Sequence, residues 1–213
     1  MGDLCYNIRT RKAEGVGIKM RKSSIGKRST ARDLATVALA IALLAVCSYI
    51  AIPTPMGHIT LQLFAVLLIA SVLDLKKSVL VVAIYVVMGL IGLPVFAGFR
   101  GGFSVLFEIS GGFLAAFILM SAIIPLSRRL FGNSNRCIVI SSVCSILLSY
   151  LIAKIWIHVV SGGIEHPSSF LIYLLLYTAA FIIPDLLKLA LVIYTAPKIR
   201  KFTDFSSNEQ VSS

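Results

Sequence analysis

Hydrophobic residues occupy long stretches of this chain, and short polar breaks separate the stretches. The apolar runs are residues 34–52, 58–73, 77–93, 104–124, 137–160 and 170–196. An α-helix rises 1.5 Å per residue, so about 20 residues cross a bilayer and about 17 are a practical minimum. The second and third runs lie near that minimum, which predicts tilted helices or a locally thinned bilayer. Turn-forming sequences such as PTPMG and GNSN fill the breaks. The pattern predicts an all-α integral membrane protein with six transmembrane helices.

The last apolar run, 170–196, is too long for a plain crossing and contains Pro184. Proline breaks the interior of a helix but is tolerated in its first turn. We therefore expect two helices here. The first, at 170–180, would be an interfacial or lid-like helix, and the second, at 183–196, would begin the sixth span.

Positive charge is concentrated beside the predicted spans. The chain is 58% hydrophobic and 14% charged, with 20 Lys and Arg against 9 Asp and Glu and a formal net charge of +11. Nine of these cations precede residue 34, and alternating spans place 17 of the 20 on one side, which predicts cytoplasmic termini. Such a distribution favours contact with anionic membrane lipid over nucleic acid. We expect a basic cytoplasmic extension at 1–33, a membrane domain at 34–197 and a polar cytoplasmic tail at 198–213, in a multi-pass protein of the cell membrane.

Charged side chains within or beside the runs point to function, because each costs about 2.5–3.5 kcal/mol at the centre of a span. Asp185 and Lys188 are three residues apart and share one helix face. They either neutralise each other or grip a ligand with one acceptor and one donor. In a split last helix they occupy its first turns; in a continuous, kinked helix they lie at mid-bilayer. Glu108 either pairs with Lys154 across the bundle or lies near the outer mouth.

The sequence GLIGLPVFAGFRGG at 89–102 carries Arg100, the single cation that the predicted topology leaves on the outer side. Its glycines allow the backbone to approach a ligand closely. A guanidinium has the geometry to hold a carboxylate with two parallel hydrogen bonds. Arg100 is therefore either a solvated loop residue or a carboxylate receptor near Asp185 and Lys188. The second alternative predicts a small ligand with a carboxylate at one end and polar N–H and C=O groups at the other.

Three motifs stand out along the chain: LIGLPVFAGFRGG followed by SGGF at 110–113, PDLLK at 184–188, and ITLQLFAVLLIA at 59–70 with its glutamine, Gln62. Together they resemble the BioY family, the biotin-binding S components of energy-coupling-factor (ECF) transporters. The resemblance covers residues 34–197. It implies a six-helix bundle of the ECF S-component type that captures biotin outside and delivers it inward. The resemblance also implies two kinds of partner, a transmembrane coupling subunit and a pair of ATPases. The chain has no GxxxxGK[ST] phosphate loop, so we do not expect it to hydrolyse ATP by that route itself.

The resemblance also implies roles for particular residues. Asp185 and Lys188 would lie in the biotin site, and Arg100 would lie in a lid between the third and fourth spans. We expect Asp185 to accept from a ureido N–H, Lys188 or Gln62 to donate to ligand oxygens, and Arg100 to receive the carboxylate. Tyr85 or Tyr177 would pack on the thiolane ring. Where the family commonly has GPTGGY this chain has EISGGF, so Glu108 and Phe113 are departures from its pattern.

Ala38 and Ala42 match the small-residue face with which S components dock on the coupling subunit, although ordinary helix packing also explains two alanines at this spacing. Biotin would be cargo, so no cofactor, metal site or enzymatic activity is expected. Two alternatives remain open. One is an S component for a different vitamin, and the other is a stand-alone carrier that uses Asp185 and Lys188 as an ion relay.

Overall fold

The structure is a computed structural model that describes residues 26–54, 57–132, 134–160 and 167–208. The chain divides into two compact units, residues 1–35 and 36–213. Most of the predicted basic extension, 1–33, lies outside the described residues. The second unit contains the cavity and, from residue 36 onward, the helices considered below.

The described chain is mostly helical, as predicted. In chain order its elements are α1 Gly26–Tyr49, β1 Ala51–Thr54, β2 Gly57–Thr60, α2 Gln62–Val72, α3 Leu75–Leu90, a 3-10 helix Phe103–Phe107, α4 Ile109–Phe131, α5 Asn135–Val160 and α6 Pro167–Asn208. Three segments of the described chain are long and apolar enough to cross a membrane, namely Ala31–Tyr49, Ser110–Phe131 and Asn135–Val160. We call the end of the bundle that carries the hairpin β1–β2, the loop 91–102 and the 3-10 helix the loop end.

A β-hairpin joins α1 to α2, which corrects the predicted start of the second span at residue 58. β1 and β2 pair antiparallel, with Ile52 opposite Ile59 and Pro53 opposite His58. The isoleucines and threonines of these strands are β-branched and favour extended backbone. α2 consequently begins only at Gln62 and contains 11 residues. At 1.5 Å per residue it is about 16 Å long, shorter than the hydrocarbon core of a bilayer.

α2 lies at the centre of the bundle, packed against α3, α4 and α6. Nine of its 11 residues are buried, so its apolar residues face neighbours on every side. At the end opposite the loop end, Arg128 Nη1 donates to the carbonyl oxygens of Leu73 (3.1 Å) and Ala70 (3.4 Å). These bonds satisfy backbone acceptors that the last turn of a helix leaves unpaired. Arg128 therefore anchors the end of this short central helix that lies opposite the loop end.

Close packing of α4 on α5 depends on two glycines. A Cβ on Gly112 would lie 2.7 Å from Ala153 Cα and 2.7 Å from Trp156 Cβ, and a Cβ on Gly111 would lie 2.8 Å from Trp156 Nε1. The indole N–H donates to the Leu106 carbonyl oxygen at 2.7 Å. The SGGF motif thus brings α5 against the start of α4 and fixes the 3-10 helix beside it.

The last helix is continuous, so the predicted split into two helices is wrong. α6 runs from Pro167 to Asn208 over 42 residues, with Pro184 and Pro197 inside it. Proline removes one backbone donor, and membrane helices tolerate this where neighbouring groups satisfy the freed carbonyl. Asp185 and Lys188 therefore lie inside a long continuous helix and not in the first turns of a separate one.

Candidate ligand-binding site

A cavity of about 670 Å³ opens at the loop end of the bundle. Its wall combines residues of the hairpin, α2, the loop 91–102, the 3-10 helix, α4, α5 and α6. Small-molecule sites typically enclose about 300–1,000 Å³ within mostly apolar walls. The larger apolar side chains of the wall include Leu63, Phe96, Phe113, Leu114, Phe117 and Phe181. The cavity therefore has the size and apolar lining that a small ligand requires.

Asp185 and Lys188 form the buried polar end of this cavity. They are only 4% and 8% exposed, and both belong to the wall. Lys188 Nζ donates to Asp185 Oδ1 at 2.6 Å. A carboxylate can accept further hydrogen bonds, and an ammonium has three donors. The ion pair is formed, but its position on a cavity wall leaves it able to meet a ligand.

Tyr150 of α5 is a site residue that the sequence interpretation missed. Its hydroxyl donates to Asp185 Oδ2, and the residue is 3% exposed on the cavity wall. Both oxygens of Asp185 thus have a protein partner, which holds the carboxylate in one orientation. The available signal was the tyrosine itself, since a phenol hydroxyl in the middle of a span must find a polar partner. The identity of that partner depends on how α5 packs against α6.

Gln62, the first residue of α2, lines the cavity and is 5% exposed. Its Nε2 donates to Tyr85 Oη at 3.1 Å, and Tyr85 in turn donates to the Val95 carbonyl oxygen at 2.7 Å. Tyr85 is 1% exposed and does not belong to the cavity wall. Tyr85 therefore lies behind the wall in this structure and orients Gln62, and its packing on a ligand ring stays a prediction. Phe96, whose ring centroid lies 5.6 Å from that of Tyr85, faces the cavity instead.

The loop 91–102 folds against the bundle through polar and aromatic contacts. The Val95 carbonyl accepts from Ser48 Oγ at 2.6 Å as well as from Tyr85, and the Tyr49 hydroxyl donates to the Pro94 carbonyl at 2.9 Å. Residue Phe99 has φ +58° and stacks on Tyr49, with ring centroids 4.4 Å apart. α1 and α3 therefore hold the loop in place.

Arg100 lies on the wall of the same cavity as Asp185 and Lys188. Gly98 and Gly102 flank it with φ values of +73° and +101°, a backbone region that glycine adopts without strain. Arg100 Nε donates to the Ala97 carbonyl at 3.2 Å, and Nη1 donates to Glu108 Oε2. Glu108 thus lies at the cavity mouth with Arg100, and the alternative pairing with Lys154 is wrong. Lys154 is buried on α5 and does not line the cavity.

The remaining predicted residues lie elsewhere. Ala38 and Ala42 are both exposed on α1. The side chain of Tyr177 lies outside the described residues. Phe181, one helical turn further along α6, is buried and lines the cavity. Among the described residues, no group of three or more His, Cys, Asp or Glu side chains is arranged to hold a metal ion.

Comparison with known proteins places the chain in a family. The family model described as BioY matches residues 20–205. The chain is 35% identical over 125 residues to biotin transporter BioY2 of Lactococcus lactis, covering 59% of this chain and 69% of that protein. It is 31% identical over 170 residues to the probable biotin transporter BioY of Pyrococcus horikoshii, covering 80% and 97% of the two chains.

A solved structure shares the fold. The crystal structure of the S-component for biotin from an ECF-type ABC transporter superposes with a TM-score of 0.73 at 21% identity, covering 82% of this chain and 94% of that one. Three helices, α1, α4 and α5, contain segments long and apolar enough to cross a membrane. This is consistent with an all-helical, multi-pass membrane protein. From the family match and the close relatives together, the chain belongs to the BioY family.

Proposed function

We propose that the protein captures biotin and delivers it inward as the S component of an ECF-type transporter. The observation that carries this proposal is the buried Asp185–Lys188 pair, held by Tyr150, on the wall of a mostly apolar cavity. An ion pair that only neutralises itself needs no cavity beside it, whereas a ligand site needs a few polar groups in an apolar wall. The relatives named as biotin transporters support biotin as that ligand.

The ureido ring of biotin matches the buried polar end of the cavity. It has two N–H donors and one carbonyl acceptor. Asp185 accepts from a ureido N–H, and Lys188 or Gln62 donates to the ureido oxygen. Hydrogen bonds to charged groups contribute about 1.5–3 kcal/mol each. A ligand without these donors would leave the buried polar groups unpaired, which is a strong source of specificity.

The rest of biotin fits the remaining wall. Its thiolane ring and aliphatic chain pack against the phenylalanine side chains, including Phe96 and Phe181. Its carboxylate extends towards the mouth, where Arg100 receives it with charge-assisted hydrogen bonds. Packing of Tyr177 on the ring stays a prediction.

The charge distribution supports an orientation of the protein in the membrane, and the family supports a source of energy for transport. Both termini are cytoplasmic, so the loop end and its cavity face outward. The basic residues at the opposite end contact anionic lipid headgroups. Because the chain has no phosphate-binding loop, ATP hydrolysis takes place on separate ATPase subunits, reached through a transmembrane coupling subunit. The exposed alanines of α1, Ala38 and Ala42, form the docking face, since small residues allow close helix approach in lipid.

Equilibrium binding tests the ligand. Purified full-length protein is titrated with biotin by isothermal calorimetry, and thiamine and riboflavin are then added as competitors. We expect saturable biotin binding that neither competitor displaces. Displacement by another vitamin, or the absence of biotin binding, would contradict the proposal.

Uptake measurements test the coupling. Cells expressing this protein with and without the coupling and ATPase subunits are supplied with labelled biotin, in the presence and absence of a protonophore. We expect accumulation to require the ATPases and to survive the protonophore over the first minutes. Accumulation that persists without the ATPases and collapses with the protonophore would favour an ion-coupled carrier instead.

A further inference from the structure

The cavity mouth holds an ion pair that is accessible to solvent. Arg100 and Glu108 both line the cavity, and their side chains are 36% and 43% exposed. Arg100 Nη1 donates to the Glu108 carboxylate, and its Nε donates to the Ala97 carbonyl at 3.2 Å. The guanidinium that could receive a ligand carboxylate is therefore already paired, through Nη1, with a carboxylate of the protein itself.

The charges of the cavity wall cancel when both pairs are formed. Its charged side chains, among the described residues, are the cations Arg100 and Lys188 and the anions Glu108 and Asp185. Asp185 and Lys188 neutralise each other at the buried end. An anionic ligand consequently meets a neutral pair at the mouth and gains full attraction to Arg100 only when Glu108 moves away.

Glu108 has a second favourable environment close by. It is the N-cap residue of α4, yet its side chain makes no capping hydrogen bond. The first N–H groups of a helix lack partners within the helix, and negative charge is stabilised there. Ser110, two residues on, lines the cavity, and its buried hydroxyl has no hydrogen-bond partner among the described residues. A Glu108 carboxylate released by Arg100 can turn to the Ser110 N–H and hydroxyl.

We propose that Glu108 is a built-in competitor for the ligand carboxylate. Without ligand, Glu108 occupies Arg100. On binding, the ligand carboxylate takes over Arg100, and Glu108 turns to the N-terminus of α4. One carboxylate replaces another on the same guanidinium, so the number of ion pairs is unchanged. The inference rests on the proposed function, because it requires a ligand that ends in a carboxylate.

A double-mutant cycle with two ligands tests the exchange. The four proteins are the full-length wild type, Glu108→Gln, Arg100→Gln and the double variant, and the two ligands are biotin and its uncharged primary amide. Exposed ion pairs contribute about 0.2–1 kcal/mol, so we expect Glu108→Gln to tighten biotin binding about 1.5- to 5-fold. It leaves the affinity for the amide unchanged. In the Arg100→Gln background it no longer tightens biotin binding, because there is no guanidinium to release.

Three outcomes overturn the exchange. Unchanged or weaker biotin binding by Glu108→Gln means that Glu108 and the ligand share Arg100 without competition. Equal tightening in both Arg100 backgrounds means that Glu108 acts only by repulsion through space. Tightening for the amide means that the effect is unrelated to the ligand charge. Failure of the proposed function can be told apart from failure of the exchange, because the wild type would then bind neither biotin nor its amide.

Discussion

Replacing Asp185 with asparagine removes the negative charge at the buried end of the cavity while keeping the size of the side chain. Asp185 is 4% exposed and accepts from both Lys188 and Tyr150. Loss of one charge-assisted hydrogen bond to a ureido N–H costs about 1.5–3 kcal/mol, which raises the Kd for biotin about 10- to 150-fold. The variant also leaves the Lys188 ammonium buried without its carboxylate. Breaking a buried pair in this way costs about 3–5 kcal/mol of stability.

The assay must separate lost binding from lost stability. Calorimetric titration gives the Kd for biotin, and thermal unfolding in the same detergent gives the stability. The matched control is Asp185→Asn combined with Lys188→Met, in which neither charge is left unpaired. We expect the double variant to regain much of the thermal stability of the wild type without regaining biotin affinity. Wild-type affinity in the double variant would refute the reasoning, because the pair would then serve only to neutralise itself.

Three further substitutions test other parts of the structure. Tyr85→Phe removes the hydroxyl that links Gln62 to the Val95 carbonyl, and each lost hydrogen bond lowers the stability by about 1 kcal/mol. Thermal unfolding should therefore show a lower midpoint, and calorimetry should show a biotin Kd raised less than 10-fold. Gly112→Val places a Cβ 2.7 Å from Ala153 Cα and should destabilise the α4–α5 contact by about 1–3 kcal/mol. The control is Leu119→Val on the exposed side of α4, which should leave the unfolding midpoint nearly unchanged. Ala42→Trp on the exposed side of α1 should keep the biotin Kd of the wild type but prevent co-purification with the coupling subunit; retained co-purification would contradict the docking face.

Hydrophobic patterning located the helices well where spans are long. The runs at 104–124 and 137–160 correspond to α4 Ile109–Phe131 and α5 Asn135–Val160. The cost of charge in a bilayer likewise singled out Asp185 and Lys188, and both line the cavity. These inferences depend on the chemistry of single residues or near neighbours, which a sequence displays directly.

The predictions that failed concern segments where local signals compete with packing. Pro184 is a helix breaker by local chemistry, yet α6 continues through it. Residues 58–60 begin a mostly apolar run that is compatible with a helix, yet they pair with β1 because the strand opposite offers backbone partners. In both segments the backbone conformation is decided by groups that are distant in the sequence or lie on neighbouring elements.

The sequence by itself determined the class of protein, its apolar helices and the residue types suited to a ligand with a carboxylate and polar N–H and C=O groups. Only the tertiary structure decided their partners. Tyr150 meets Asp185 across 35 positions of sequence, Arg100 meets Glu108 at the mouth, and Tyr85 lies behind the wall. The physical reason is one of range: apolar periodicity and the cost of charge act within a few residues, whereas a hydrogen bond needs its two atoms within about 3 Å. That distance is set by how whole helices pack against one another.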